Sequence, residues 1–85
     1  MELKAKVQED DKTGRWAAEI TAFGLNTQGS TREEALMSLY DAIAVLMPGL
    51  AFDLSWSDER PGRALLETND ESFVIDAIMR QGRGP

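Results

Sequence analysis

The chain has 85 residues, with 15 Asp or Glu against 9 Lys or Arg and a net charge of −6. That length suits one small domain burying about 60–65% of its extended surface, and an apolar fraction of 42% places it among folding sequences. With no Cys and no His, disulfides, thiolate nucleophiles, Cys-bearing metal centres and imidazole bases are excluded, which leaves carboxylate, Lys or hydroxyl chemistry, or no chemistry.

Leu3, Ala5 and Val7 alternate with Lys4, Lys6 and Gln8, the period-2 signature of a strand with one buried face. The polar run Glu9-Asp10-Asp11-Lys12-Thr13-Gly14 reads as a hairpin turn. From Arg15 to Thr21 the alternation resumes, with Trp16, Ala18 and Ile20 on the apolar side, so these two segments are expected to pair antiparallel. Ala22-Phe23-Gly24 makes a corner, and Leu25 to Gln28 is a short third strand ended by Gly29.

A helix is announced by Ser30-Thr31-Arg32-Glu33-Glu34. Thr31 can cap the Glu34 amide while the Glu34 carboxylate reaches back to the Thr31 amide, a capping box. Leu36, Leu39, Tyr40, Ile43, Leu46 and Met47 form its apolar stripe, and Pro48-Gly49 stops it. Phe52, Leu54 and Trp56 alternate with polar residues in a fourth strand, and Ser57 to Gly62 is a turn. Arg63 to Thr68 returns as a fifth strand with either Leu65 or Leu66 inward. Asn69 or Thr68 caps a last helix, Asp70 to Gln81, whose apolar face carries Phe73, Val74, Ala77 and Ile78. Residues 82–85 form a flexible tail.

The order β-β-β-α-β-β-α predicts one α+β domain over residues 1–85, a mostly antiparallel sheet with helices packed on one face. The fourth strand is expected beside the first, which leaves the third at an edge. The acidic balance opposes binding to a phosphate backbone and fits a basic partner; it also serves solubility alone. No apolar run approaches the ~20 residues that span a bilayer, and Met1 to Lys6 lacks the apolar stretch of a signal peptide, so a cytoplasmic protein is expected.

Glu9, Asp10 and Asp11 form the densest carboxylate group and could hold Ca²⁺ or Mg²⁺ through oxygens. The run lacks the alternate spacing and central Gly of a calcium loop, so it reads as a solvated turn. Glu33 and Glu34 are explained by capping, and Glu67, Asp70 and Glu71 by the start of the last helix. Trp16, Phe52, Trp56 and Phe73 read as core, with one Trp available to an interface. Arg80 and Arg83 suit the negative end of the last helix, and a nucleic-acid contact through them is the competing reading. No metal or cofactor is expected.

The run Gly14-Arg15-Trp16-Ala17-Ala18-Glu19-Ile20 resembles the second strand of HicB-like antitoxins. Thr27-Gln28-Gly29-Ser30-Thr31-Arg32-Glu33-Glu34-Ala35-Leu36, continuing to Asp41-Ala42-Ile43, is similar to that family's strand–glycine–capped-helix signature. The resemblance covers residues 3 to about 47. It departs at Phe23-Gly24-Leu25, where the family usually has a Pro-Gly-Cys-like corner, and residues 48–85 match no family motif. The family often carries a second, DNA-binding helical part, which has no counterpart here.

The resemblance implies layers like those of a double-stranded-RNA-binding domain. It also implies a non-catalytic protein that neutralises HicA, a small basic ribonuclease, by blocking its active surface. The alternatives are a free-standing HicB-like regulatory or mobile-element protein with another protein partner, and a carboxylate- or metal-dependent nuclease. Expected partner-binding residues are Glu9, Asp10, Asp11 and Glu19. Self-association into a homo-oligomer is expected through Leu25, Asn26, Thr27 and Gln28, an edge with no charge and no Pro, with Trp56 as the second choice. Direct nucleic-acid binding and membrane binding are not expected.

Overall fold

The computed structural model describes residues 1–57 and 62–82. Five strands, β1 (Glu2–Glu9), β2 (Trp16–Ile20), β3 (Leu25–Gly29), β4 (Asp53–Trp56) and β5 (Arg63–Glu67), form one sheet in the order β3-β2-β1-β5-β4. Every adjacent pair is antiparallel. Helices α1 (Arg32–Leu46) and α2 (Glu71–Gly82) complete an α+β domain. Residues 58–61 of the expected turn over Ser57 to Gly62 and residues 83–85 of the expected 82–85 tail lie outside the described residues, while Gly82, expected to begin that tail, is the last residue of α2.

Alternation sets the two faces of the sheet. Ala5 and Val7 of β1, Ala18 and Ile20 of β2, and Ala64 and Leu66 of β5 are buried beside Leu39 and Ile43 of α1 and Val74 of α2 in one core. Both helices therefore contribute to the same side. Ala5, Ala18, Ala35 and Ala64 are all fully buried, and their small side chains let α1 lie close to the sheet. Leu66 is the inward residue of the pair left open by the sequence; Leu65 faces the other way and is half-buried.

The fourth strand is not beside the first. Residues Glu2–Lys6 of β1 pair with Arg63–Glu67 of β5, and β4 is the outer strand. The burial pattern gives the reason. The inward residues of β5, Ala64 and Leu66, are wholly enclosed, whereas Leu54 and Trp56 of β4 are only half-buried, so the central position goes to β5. The expectation that β3 forms an edge is met.

The corner after β2 is a 3₁₀ turn, Thr21–Phe23, released into β3 by Gly24 at φ 66°. Phe23 in that corner is fully buried, whereas Trp16, Phe52, Trp56 and Phe73 are half-buried at the margin of the core. At the start of α1 the Thr31 hydroxyl accepts from the Glu34 amide at 3.1 Å. The Glu34 carboxylate accepts from the Ser30 amide at 3.3 Å, one residue earlier than a standard capping box would place it. At α2 the capping carboxylate is that of Asp70, which accepts from the Phe73 amide at 3.4 Å. Thr68 is buried instead, donating to the Ala51 carbonyl at 2.7 Å and accepting from the Asp70 amide at 3.1 Å. Among the described residues no helix is long and apolar enough to cross a membrane.

Candidate functional site

Asp10 is occupied by the turn that contains it. Its carboxylate accepts from the Lys12 amide at 3.0 Å and from the Thr13 hydroxyl at 3.1 Å. Its backbone closes the same turn, donating to Arg15 at 2.7 Å and accepting from Gly14 at 2.8 Å. This is the local side-chain bonding that favours Asp in turns. Asp11 is exposed at the tip. Glu9 has the same parity as Ala5 and Val7, so it lies on the helix-bearing side of the sheet, at the strand end and exposed. Glu19 projects from the opposite, open face, across from Lys6 on one side and Asn26 on the other. Of the four acidic residues expected to bind a partner, Asp10 and Asp11 thus lie in the turn, while Glu9 and Glu19 lie on opposite faces of the sheet. No group of three or more carboxylates among the described residues is arranged to hold a metal ion.

The residues expected to mediate self-association are divided as well, since β3 and Trp56 lie at opposite edges of the sheet. On β3, Asn26 and Gln28 are exposed on the open face. Leu25 and Thr27 point the other way, toward α1, and the Thr27 hydroxyl lies 3.1 Å from the Ala35 carbonyl and 3.4 Å from that of Ala18. The helix therefore covers the inner side of this edge, and a strand added there would meet backbone and two amide side chains.

The β4 edge is built differently. Between it and α1 runs a groove of about 230 Å³ lined by Glu33, Leu36, Met37, Tyr40, Leu54 and Trp56. Met37 is 64% exposed and Tyr40 41% exposed. The Tyr40 ring packs on Phe52 with centroids 4.7 Å apart, and the Arg32 guanidinium lies 4.3 Å from the centre of the Trp56 ring. On the open face beside this edge, Asp53, Glu67 and Glu2 stand directly opposite one another across β4, β5 and β1.

A second cleft, of about 590 Å³, separates the end of α1 from α2 and is walled by Leu46, Met47, Phe73 and Ala77. Arg80 at its rim pairs with Asp76 at 2.6 Å, so this guanidinium already has an anion. The other half of the expected nucleic-acid contact, Arg83, lies outside the described residues.

Sequence reasoning missed the groove because it treated α1 as having one apolar stripe. The signal was present in Met37, an apolar residue off that stripe that lines the groove and stays exposed. No protein-family model matches the chain. No curated protein and no solved structure matches it either.

Proposed function

We propose that this chain is a non-catalytic protein-binding module of the antitoxin kind, which neutralises a small basic ribonuclease of the HicA type by covering its active surface. The observation that carries the reading is the pair of open sheet edges, β3 and β4, each able to accept a foreign strand through main-chain hydrogen bonds. The net charge of −6 favours encounter with a basic partner. The β3 edge, uncharged and without Pro, suits pairing with a second copy of the chain.

A free-standing regulatory protein that binds a different protein shares this geometry, and the identity of the captured partner separates the two. Tagged protein recovered from its native lysate should carry a small basic protein at a fixed ratio. That protein, purified alone, should cleave RNA and lose the activity when the chain is added back. Divalent-metal-dependent cleavage of RNA or DNA by the chain alone, abolished in Asp10→Ala or Asp11→Ala, would overturn the proposal in favour of a nuclease.

A further inference from the structure

Strand addition gives affinity through the backbone and specificity through pockets that receive alternate side chains. The two edges differ in the second respect. At β3 the inner side is filled by α1, with Leu25 and Thr27 already half-buried. At β4 the inner side opens onto the apolar groove of Leu36, Met37, Tyr40, Leu54 and Trp56. A residue of an added strand that points inward there finds a place to bury an apolar side chain.

The residues of the added strand that point outward meet a different surface. Asp53 is the outward residue of β4 at this end, and Glu67 and Glu2 continue the row across the sheet. Like charges directly opposite on a sheet repel, and a cation beside them relieves the repulsion. Asp53 by itself serves as edge protection against indiscriminate pairing. Lys4, Lys6 and Arg63 follow on the same face toward the other end of the strands, so the acidic potential is confined to the Asp53 end, where an acidic residue of an added strand is repelled and a basic one attracted.

From this we infer that β4 is the edge that takes the partner protein, and that it takes an extended basic segment with apolar side chains at positions i and i+2 and Lys or Arg at the alternate positions between and beside them. The apolar pair enters the α1–β4 groove beside Leu54 and Trp56, the cation between them lies opposite Ser55, and the next cation along the segment lies opposite Asp53, at the near end of the Asp53–Glu67–Glu2 row. The inference rests on the protein-binding reading above and adds the chemistry of the partner's docking segment and the edge that receives it. The β3 edge is left free for a second copy.

The probe is a synthetic capped peptide, acetyl-Gly-Lys-Ile-Lys-Phe-Lys-Val-Gly-amide, with binding followed by the fluorescence of Trp56 in a Trp16→Phe background. Two control peptides are needed, one with each Lys replaced by Glu and one of the same composition with the apolar residues made adjacent. The alternating Lys peptide should bind saturably, and both controls should bind at least about tenfold more weakly, a difference of about 1.4 kcal/mol. Met37→Gln removes an apolar wall of the groove at constant size and without adding a charge, and should weaken the peptide about tenfold. Asp53→Lys should weaken it about threefold and reduce its salt dependence. Gln28→Lys, which charges the β3 edge, should leave affinity unchanged.

Circular dichroism of each variant separates lost binding from lost fold. Equal binding of the control peptides, indifference to Met37→Gln, or no binding of the alternating peptide overturns the assignment of β4. Loss of binding in Gln28→Lys with affinity retained in Met37→Gln does the same and moves the partner to β3. None of these results touches the cleavage assay, so the protein-binding reading stands or falls separately.

Discussion

Gly29→Ala adds one methyl group where β3 passes beneath the first turn of α1. Gly29 is not among the glycines with positive φ, so its backbone alone tolerates a side chain. Space is the obstacle. An added Cβ would lie 2.5 Å from the Ala35 nitrogen, 2.8 Å from the Glu34 carbonyl carbon and 2.9 Å from the Glu34 Cβ. Two of these atoms are backbone of α1 and the third is fixed directly to it, so no flexible side chain can move aside. To restore ordinary contact the strand and the helix must separate by roughly 1 Å, and the packed core they share resists that.

Overpacking of this kind costs about 1–3 kcal/mol. The reduced freedom of the unfolded chain returns about 0.4–1 kcal/mol. A net loss of about 1–2 kcal/mol in a domain of this size lowers Tm by roughly 5–15 °C. Urea melts should show a lower midpoint at unchanged slope. Gly14→Ala is the contrasting variant, because nothing lies within 4 Å of its added Cβ and only the backbone at φ 71° objects, at about 1–2 kcal/mol. If Gly29→Ala melts within about 2 °C of the wild type with unchanged amide chemical shifts across Ser30 to Leu36, the steric account of the strand–helix junction is wrong.

Thr31→Ala removes the side-chain cap of α1 and should cost about 1 kcal/mol, read from the shift in denaturation midpoint. Thr27→Val deletes the hydroxyl that links β3 to the Ala35 and Ala18 carbonyls; a loss of about 1 kcal/mol is expected by the same assay. Asp10→Ala should destabilise by about 1 kcal/mol and loosen the β1–β2 turn in amide exchange, whereas Asp11→Ala should change neither. Sedimentation at high concentration should show a dimer that Asn26→Pro converts to monomer; a wild type that stays monomeric would end the homodimer reading of β3.

The elements of the fold were legible because each is written locally. Strands showed period 2, the α1 stripe period 3.6, and Thr31 with Glu34 marked the helix start. Gly29 was visible as a strand stop, but its reason was not, since the crowding comes from Glu34 and Ala35 folding back over it. The same holds for Phe23, which sits in a corner by sequence and in the core by structure. Asp10 reads equally as a free carboxylate or a turn anchor until its hydrogen bonds are seen.

Strand order was the long-range part, and the consequence for binding lies there. Placing β4 beside β1 would have enclosed Leu54 and Trp56 between other strands and exposed β5 at the edge. The observed order instead pairs β5 with β1 along five residues and leaves β4 with one neighbour. Because α1 leaves directly from β3 and lies back over it, the helix fills one edge and leaves a groove at the other. Met37, an apolar residue of α1 off the expected stripe, and Tyr40, which is on it, both line that groove. One connection, the two-residue link from Gly29 to Arg32, thus makes the two edges of an otherwise simple sheet chemically unlike. A sheet edge whose inner side is already filled gains mainly hydrogen bonds on pairing, while one beside an open apolar groove also gains burial at about 25 cal/mol per Å². That difference in available burial, more than the absence of charge on β3, is why the partner is assigned to β4.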